Sequence, residues 1–255
     1  MKYLTSKFSL FAFVAMFATV SAFAQASFAG GPRTYSKSGD LIDRVEDSLK
    51  RQFEEKNLNW PPQSLYIRAF KYDRQLEVWV RADNSDQYKL FKTYKVCMQS
   101  GTTGPKRVEG DYQVPEGFYY INEFNPNSKY HLALGLNYPN ASDRILSDSI
   151  RPGGAIYIHG SCVSTGCIAI NDAPIEELYT MASKVKVNGQ DFIPVHVFPV
   201  KYNVKKSIEY LAESTLGNQT VQKFAVKLKE AFDYFEEKKQ LPLILVNKAG
   251  EYVIN

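Results

Sequence analysis

Residues 156–172 read IYIHGSCVSTGCIAIND, and the rest of the chain is arranged around this stretch. Ala155 to Gly160 reads as a short buried strand that ends in His159-Gly160, the following Ser161–Cys167 segment is rich in turn residues, and a helix starts close behind. A cysteine nucleophile needs a base to take its proton, backbone N–H donors for an oxyanion, and access to substrate. A free thiol has a pKa near 8.5, and lowering it by about two units takes roughly 2.7 kcal/mol of differential stabilisation. A neighbouring imidazole and a helix N-terminus can supply that, so His159 is the candidate base and Cys167 the candidate nucleophile. Gly166 lets the backbone turn tightly ahead of Cys167. The amides of Gly166 and Cys167 are the candidate oxyanion donors.

Working outward, Asp172 is placed to cap the following helix, with Pro174 in its first turn and Ile175, Leu178, Tyr179 and Ala182 on its buried face. Upstream, Ile42, Val45, Leu49 and Phe53 recur at helical spacing and predict an amphipathic helix over 38–56, closed by Trp60-Pro61-Pro62. SLYIRAF and QLEVWVRA flank a polar turn as a β-hairpin, YKLFKTYKVC reads as a third strand, and GFYYINEF as a fourth. A long loop, SGTTGPKRVEGDYQVPEG, separates the last two, and loops of that length are often functional. Residues 125–153 read mostly as loop with strand character around HLALGL, and FIPVHVFPV as the last strand of the main body. Helical patterns fill 203–238, with Phe224, Leu228, Phe232 and Phe235 on one face. PLILVNKAGEYVI predicts a terminal hairpin.

The first 24 residues have the pattern of a secretory signal peptide: Lys2 and Lys7, the apolar run FSLFAFVAMF, and Ala22-Phe23-Ala24 before Gln25. The apolar run is shorter than the roughly 20 residues of a membrane span, so the expectation is an exported protein of the periplasm or cell envelope with no transmembrane anchor after cleavage. The net charge of +4 comes from scattered Lys and Arg without a long basic block, which gives no support to nucleic-acid binding. The chain divides on this reading into a signal peptide (1–24), a linker and amphipathic helix (25–62), a main domain (63–200) and a helical extension with a terminal hairpin (201–255). Three cysteines are an odd number for an oxidising compartment. Cys162 is a second site thiol, a disulfide partner of Cys97, or a small apolar residue. Zinc is disfavoured because the C-x4-C spacing of Cys162 and Cys167 has no second ligand pair nearby.

The string from Ile158 to Cys167 resembles the I-H-G-x-C-V-S-x-G-C signature of the L,D-transpeptidase catalytic domain, the YkuD family, in its YafK-like murein L,D-transpeptidase-related branch. GPKRVEGDYQVPEGFYYI (104–121) and YPNASDR (138–144) extend the likeness, which spans roughly residues 64–199. The resemblance implies an α+β fold built on a mostly antiparallel, β-sandwich-like catalytic domain, here with flanking N- and C-terminal helices. It implies that Cys167 attacks the carbonyl of the third residue of a peptidoglycan stem peptide, that His159 serves as base and then acid, that Ser164 shapes the turn and contacts substrate with Gly160 and Gly166 in the same oxyanion turn, and that no metal or organic cofactor takes part. The chain departs from many members in having Thr165 between Ser164 and Gly166, Ala169 rather than Arg after Ile168, and a short gap from His159 to Ser164. These departures suit the YafK-like branch, associated with detaching a lipoprotein from the wall, so a wall-attached lipoprotein joins the stem peptides as an expected partner. The expected activity is acyl transfer to an amine through a thioester. The alternatives are amide hydrolysis, an inactive wall-binding module, and a redox protein using Cys162 and Cys167. Lys106 and Arg107 on the long loop, Arg144 and Thr165 are the candidate substrate contacts, while His196 inside an apolar strand reads as structural and His131 as a loop or strand-edge residue.

Overall fold

Strand β1 (Ser64–Phe70) is buried along its whole length, and its alternation explains why. Leu65, Ile67 and Ala69 face one core, whereas Tyr66, Arg68 and Phe70 face the opposite side of the sheet, as the two-residue period of a strand requires. Both faces are therefore covered. The computed structural model describes residues 37–83 and 87–255, with the side chains of 37–41 left aside. The expected signal peptide (1–24) and the first part of the expected linker lie outside the described residues. Among the described residues no helix is long and apolar enough to cross a membrane.

The remaining strands are β2 (Gln75–Arg81), β3 (Lys89–Lys95), β4 (Gly117–Asn125), β5 (Ala133–Leu136), β6 (Tyr157–His159), β7 (Ile168–Ala169) and β8 (Pro194–Phe198), with β9 (Ile244–Val246) and β10 (Tyr252–Ile254) as a separate terminal hairpin. The eight-stranded sheet runs β3-β2-β1-β8-β4-β5-β6-β7. Only the β1–β8 and β6–β7 pairs are parallel, so the mostly antiparallel α+β expectation holds. The sandwich-like character comes from β4: Gly117–Tyr120 pair with β8, Ile121–Asn125 pair with β5, and the register shifts between Ile121 and Glu123. A bulge of this kind bends and twists a strand, and here it lets one sheet turn over a shared core. Leu134, Leu136, Ile158 and Ile168 from one half pack in the same cluster as Ile67, Val78, Val195 and Val197 from the other.

Helices α1 (Lys37–Glu55) and α3 (Asp172–Val187) close that core. Leu49 and Phe53 of α1 are buried, Phe53 stacks on Phe91 with ring centroids 4.3 Å apart, and Lys184 of α3 pairs with Glu46. The outer face of β1 and β8 is covered by α5 (Gln219–Lys238), whose Leu228, Phe232 and Phe235 are buried, assisted by α4 (Lys205–Ser214) through Tyr210 stacked on Tyr72. A short helix, α2 (Ala141–Leu146), stands where the sequence read as loop; Asn140 and Asp143 form its capping box. Asp172 does not cap α3. The N-cap residue is Asn171, which makes no side-chain cap bond, and the Asp172 carboxylate turns back to the Ser161 amide at 2.7 Å.

Candidate active site

The parallel pairing of β6 with β7 sets Ile158 opposite Ile168 and His159 opposite Ala169. Ile158 and Ile168 both enter the core, so their strand neighbours Tyr157, His159 and Ala169 belong to the other face of this edge. His159 ends β6 and Cys167 immediately precedes β7, so both stand on this two-strand edge.

The His159 ring is almost fully buried, and its Nδ1 lies 2.6 Å from the carbonyl oxygen of Gly160. A carbonyl only accepts, so Nδ1 carries the proton and the lone pair of the neutral ring resides on Nε2. Burial pushes the imidazole below its ordinary pKa, partly opposed by the Gly160 bond, which keeps the ring neutral at neutral pH. Cys167 is the free thiol, half-buried, with Sγ 3.7 Å from the Ala155 carbonyl oxygen. Burial pushes this thiol up, against a smaller pull from the Tyr157 backbone. The expectation of a lowered thiol pKa is therefore corrected: burial favours the neutral thiol at Cys167 and the neutral imidazole at His159, because dehydration outweighs the local dipoles.

Ser164 builds the turn. Its Oγ accepts from the amides of Cys167 (2.9 Å) and Gly166 (3.2 Å) and donates to the Cys167 carbonyl at 2.7 Å. The two amides expected to face an oxyanion are thus engaged by Ser164 in the resting structure. Gly166 has φ +133°, a conformation open to glycine and strained for other residues. At Gly160 a Cβ would come 2.8 Å from the Tyr130 carbonyl oxygen and 2.7 Å from the Asp172 carboxylate, so the chain closes too tightly there for a side chain.

Cys97 and Cys162 are joined as a disulfide with Cα atoms 5.7 Å apart. It ties the turn between His159 and Cys167 to the segment after β3, where Cys97 N donates to the Ala169 carbonyl and Met98 bridges Ala169. Cys162 is thus neither a second thiol nor an apolar filler here.

The basic candidates are engaged elsewhere. Lys106 is buried and its ammonium pairs with Asp111, with the Val108 carbonyl at 2.9 Å. Arg107 bonds Asp143 at 3.0 Å. Both brace the long loop, held by carboxylates of the protein itself. Arg144 is exposed on α2 and its Nε donates to the Pro139 carbonyl, while Thr165 is exposed on the turn beside Cys167. The loop does reach the site, since the Gln113 carbonyl oxygen lies 3.6 Å from where a Gly166 Cβ would stand. His131 bonds Glu176 at 2.7 Å. His196 is buried against the Tyr66 hydroxyl (2.8 Å) and driven down to about 3 by burial and then by the Arg68 charge, so it is structural. The sequence reading missed Tyr130, whose ring stacks on His159 with centroids 4.7 Å apart; an aromatic 29 residues upstream carries no local signal of that contact. Among the described residues no group of three or more His, Cys, Asp or Glu could hold a metal.

Residues 66–197 match the L,D-transpeptidase catalytic domain family, YkuD. The chain is 34% identical over 196 residues to the "Putative L,D-transpeptidase YafK" of Escherichia coli K12, covering 75% of this chain and 74% of that one, with the same figures for its O157:H7 counterpart. Among solved structures it is similar to the helical cell shape determining protein Pgp2 of Campylobacter jejuni (TM-score 0.43, 19% identity, 83% of this chain and 80% of that one). It is also similar to Bd1075 of Bdellovibrio bacteriovorus (TM-score 0.38, 20% identity, 71% and 62%).

Proposed function

The chain belongs to the L,D-transpeptidase catalytic domain (YkuD) family, and on that premise we propose that it is an exported cysteine acyltransferase acting on peptidoglycan stem peptides, with Cys167 as nucleophile and His159 as its base. The observation that carries this reading is the free, half-buried thiol of Cys167 directly before β7, next to a paired β6 that ends in an imidazole whose Nδ1 proton is fixed by the Gly160 carbonyl. Such an imidazole presents Nε2 as a base.

In the proposed reaction Nε2 of His159 takes the thiol proton as Sγ attacks the carbonyl of the third stem residue. The following D-amino acid leaves as an amine, taking the proton back from His159, and a thioester remains on Cys167. An acceptor amine then attacks the thioester while His159 receives its proton, and return of that proton to sulfur regenerates the thiol. If water replaces the amine, the same acyl-enzyme is hydrolysed, releasing a stem residue or an attached protein. The Cys97–Cys162 disulfide suits an oxidising compartment, in line with the leader-like first 24 residues.

The test is mass spectrometry of muropeptides incubated with the mature protein and with Cys167→Ala, the digest including tetrapeptide stems and stems with a protein remnant. Cross-linked or amine-exchanged products that vanish in the variant support acyl transfer. Cys-dependent release without new linkages makes the enzyme a hydrolase. Wall binding that survives in the variant, with no product from either protein, would overturn both in favour of a binding module.

A further inference from the structure

The turn before β5 packs on the candidate base rather than merely joining two strands. Tyr130 lies over His159 with an interplanar angle of 30°. The tyrosine itself is 44% exposed while the histidine beneath it is 1% exposed, so Tyr130 stands between the imidazole and solvent. The turn is fastened at four points. Ser128 Oγ accepts from the Tyr130 amide (3.0 Å), and the Gly160 amide donates to the Leu132 carbonyl (3.1 Å). The Tyr130 carbonyl closes against Gly160, and the His131 side chain reaches Glu176 in the first turns of α3 at 2.7 Å. His131 takes a φ of +74° to do so, a conformation uncommon for a non-glycine residue and held here by these contacts. On the other side of Gly160, the Asp172 carboxylate holds the Ser161 amide.

We propose that Tyr130 is a positioning residue: its ring fixes the plane of His159 and keeps water from it, and the His131–Glu176 contact anchors the turn that carries it. This rests on the reading of His159 as the base. The groups at this corner are Lys129 and His131 on the turn, Tyr157 and Cys167 on the β6–β7 edge, and Asp172 and Glu176 at the start of α3. None of them is the main influence on His159, whose environment is set by burial and by the Gly160 carbonyl. Removing the tyrosine ring therefore hydrates the imidazole without removing a charge.

The experiment uses the full mature chain with labelled histidine, which has only His131, His159 and His196 to resolve. In Tyr130→Ala the Cε1 proton of His159 loses the ring-current shift, and its titration midpoint rises toward the ordinary imidazole value of about 6.5. On muropeptides kcat falls about tenfold to a hundredfold, the scale expected of a misplaced catalytic group, while KM changes little and the acid limb of the pH profile moves to higher pH. Tyr130→Phe retains the native resonance and rate, because the stack needs only the ring. Glu176→Ala moves both in the direction of Tyr130→Ala, to a smaller extent. A His159 resonance and midpoint unchanged in Tyr130→Ala would overturn the proposal. If the native chain produces no muropeptide change at all, the functional reading fails. The histidine spectrum still decides whether Tyr130 holds the ring, so the two failures are told apart.

Discussion

A buried sulfur is a poor anion: burial raises the Cys167 thiol and depresses the His159 imidazole, so in the proposed reaction proton transfer accompanies attack instead of preceding it. Alkylation of Cys167 by iodoacetamide should therefore rise with pH with a midpoint above the ordinary thiol value of ~8.5. Labelling that persists with full rate at mildly acidic pH would instead reveal a resting thiolate–imidazolium pair. Turnover should be retained as pH falls until His159 is protonated below its ordinary ~6.5, because a depressed base stays neutral further into acid. Ser164 acts at the same scale: Ser164→Ala removes three hydrogen bonds of the Cys167 turn, at a cost of about 1–3 kcal/mol. Activity should drop even though the residue never exchanges a proton with substrate; full activity with an unchanged melting temperature would refute its role in holding the turn.

The elements explain how these residues stay in place. The disulfide closes a separation of 65 residues, and in the chain-entropy view a bridge of that span contributes about 4 kcal/mol. Cys97→Ser with Cys162→Ser, or reduction of the native chain, should lower the melting temperature and loosen the 161–165 turn, read as faster hydrogen exchange at Gly166 and Cys167. An unchanged melting temperature would mean that strand pairing alone secures this edge. Helix α2 follows the same logic at shorter range. Its Asn140–Asp143 box was legible in Asn-Ala-Ser-Asp, yet the run looked like loop because the helix is only one and a half turns long and follows a proline. What was not legible is that Asp143 also bonds Arg107 and the Tyr119 hydroxyl, joining α2 to the long loop and to β4.

Across the whole molecule, the segment after residue 200 covers the outer face of the sheet. Arg68 on β1 is buried, donates to Glu77 at 2.7 and 3.0 Å, and reaches Glu236 of α5 at 2.7 Å, while Lys201 closes on the second oxygen of Glu77. Phe232 and Phe235 lie against its guanidinium. Arg68→Met should destabilise the protein by about 3–5 kcal/mol in denaturant unfolding, because Glu77 is then left buried with less compensation. A cost under about 1 kcal/mol would show that Lys201 and the Trp79 indole suffice. Tyr252 of the terminal hairpin likewise accepts from Asn140 Nδ2 at 2.8 Å, so both ends of the extension are tied into the body that holds the site.

Most strand segments along the chain, the amphipathic α1, the buried face of α5 and the terminal hairpin could all be read from the sequence, because each rests on a local period or a short spacing. The turnover of the sheet at β4 and the stacking of Tyr130 on His159 were decided by tertiary structure alone. So were the Cys97–Cys162 bridge and the capture of Lys106 and Arg107 by Asp111 and Asp143. The physical reason is common to them: each depends on which distant groups share a small dehydrated volume. There the outcome follows from the distances, partners and burial created by the folded chain, and local residue order carries none of these.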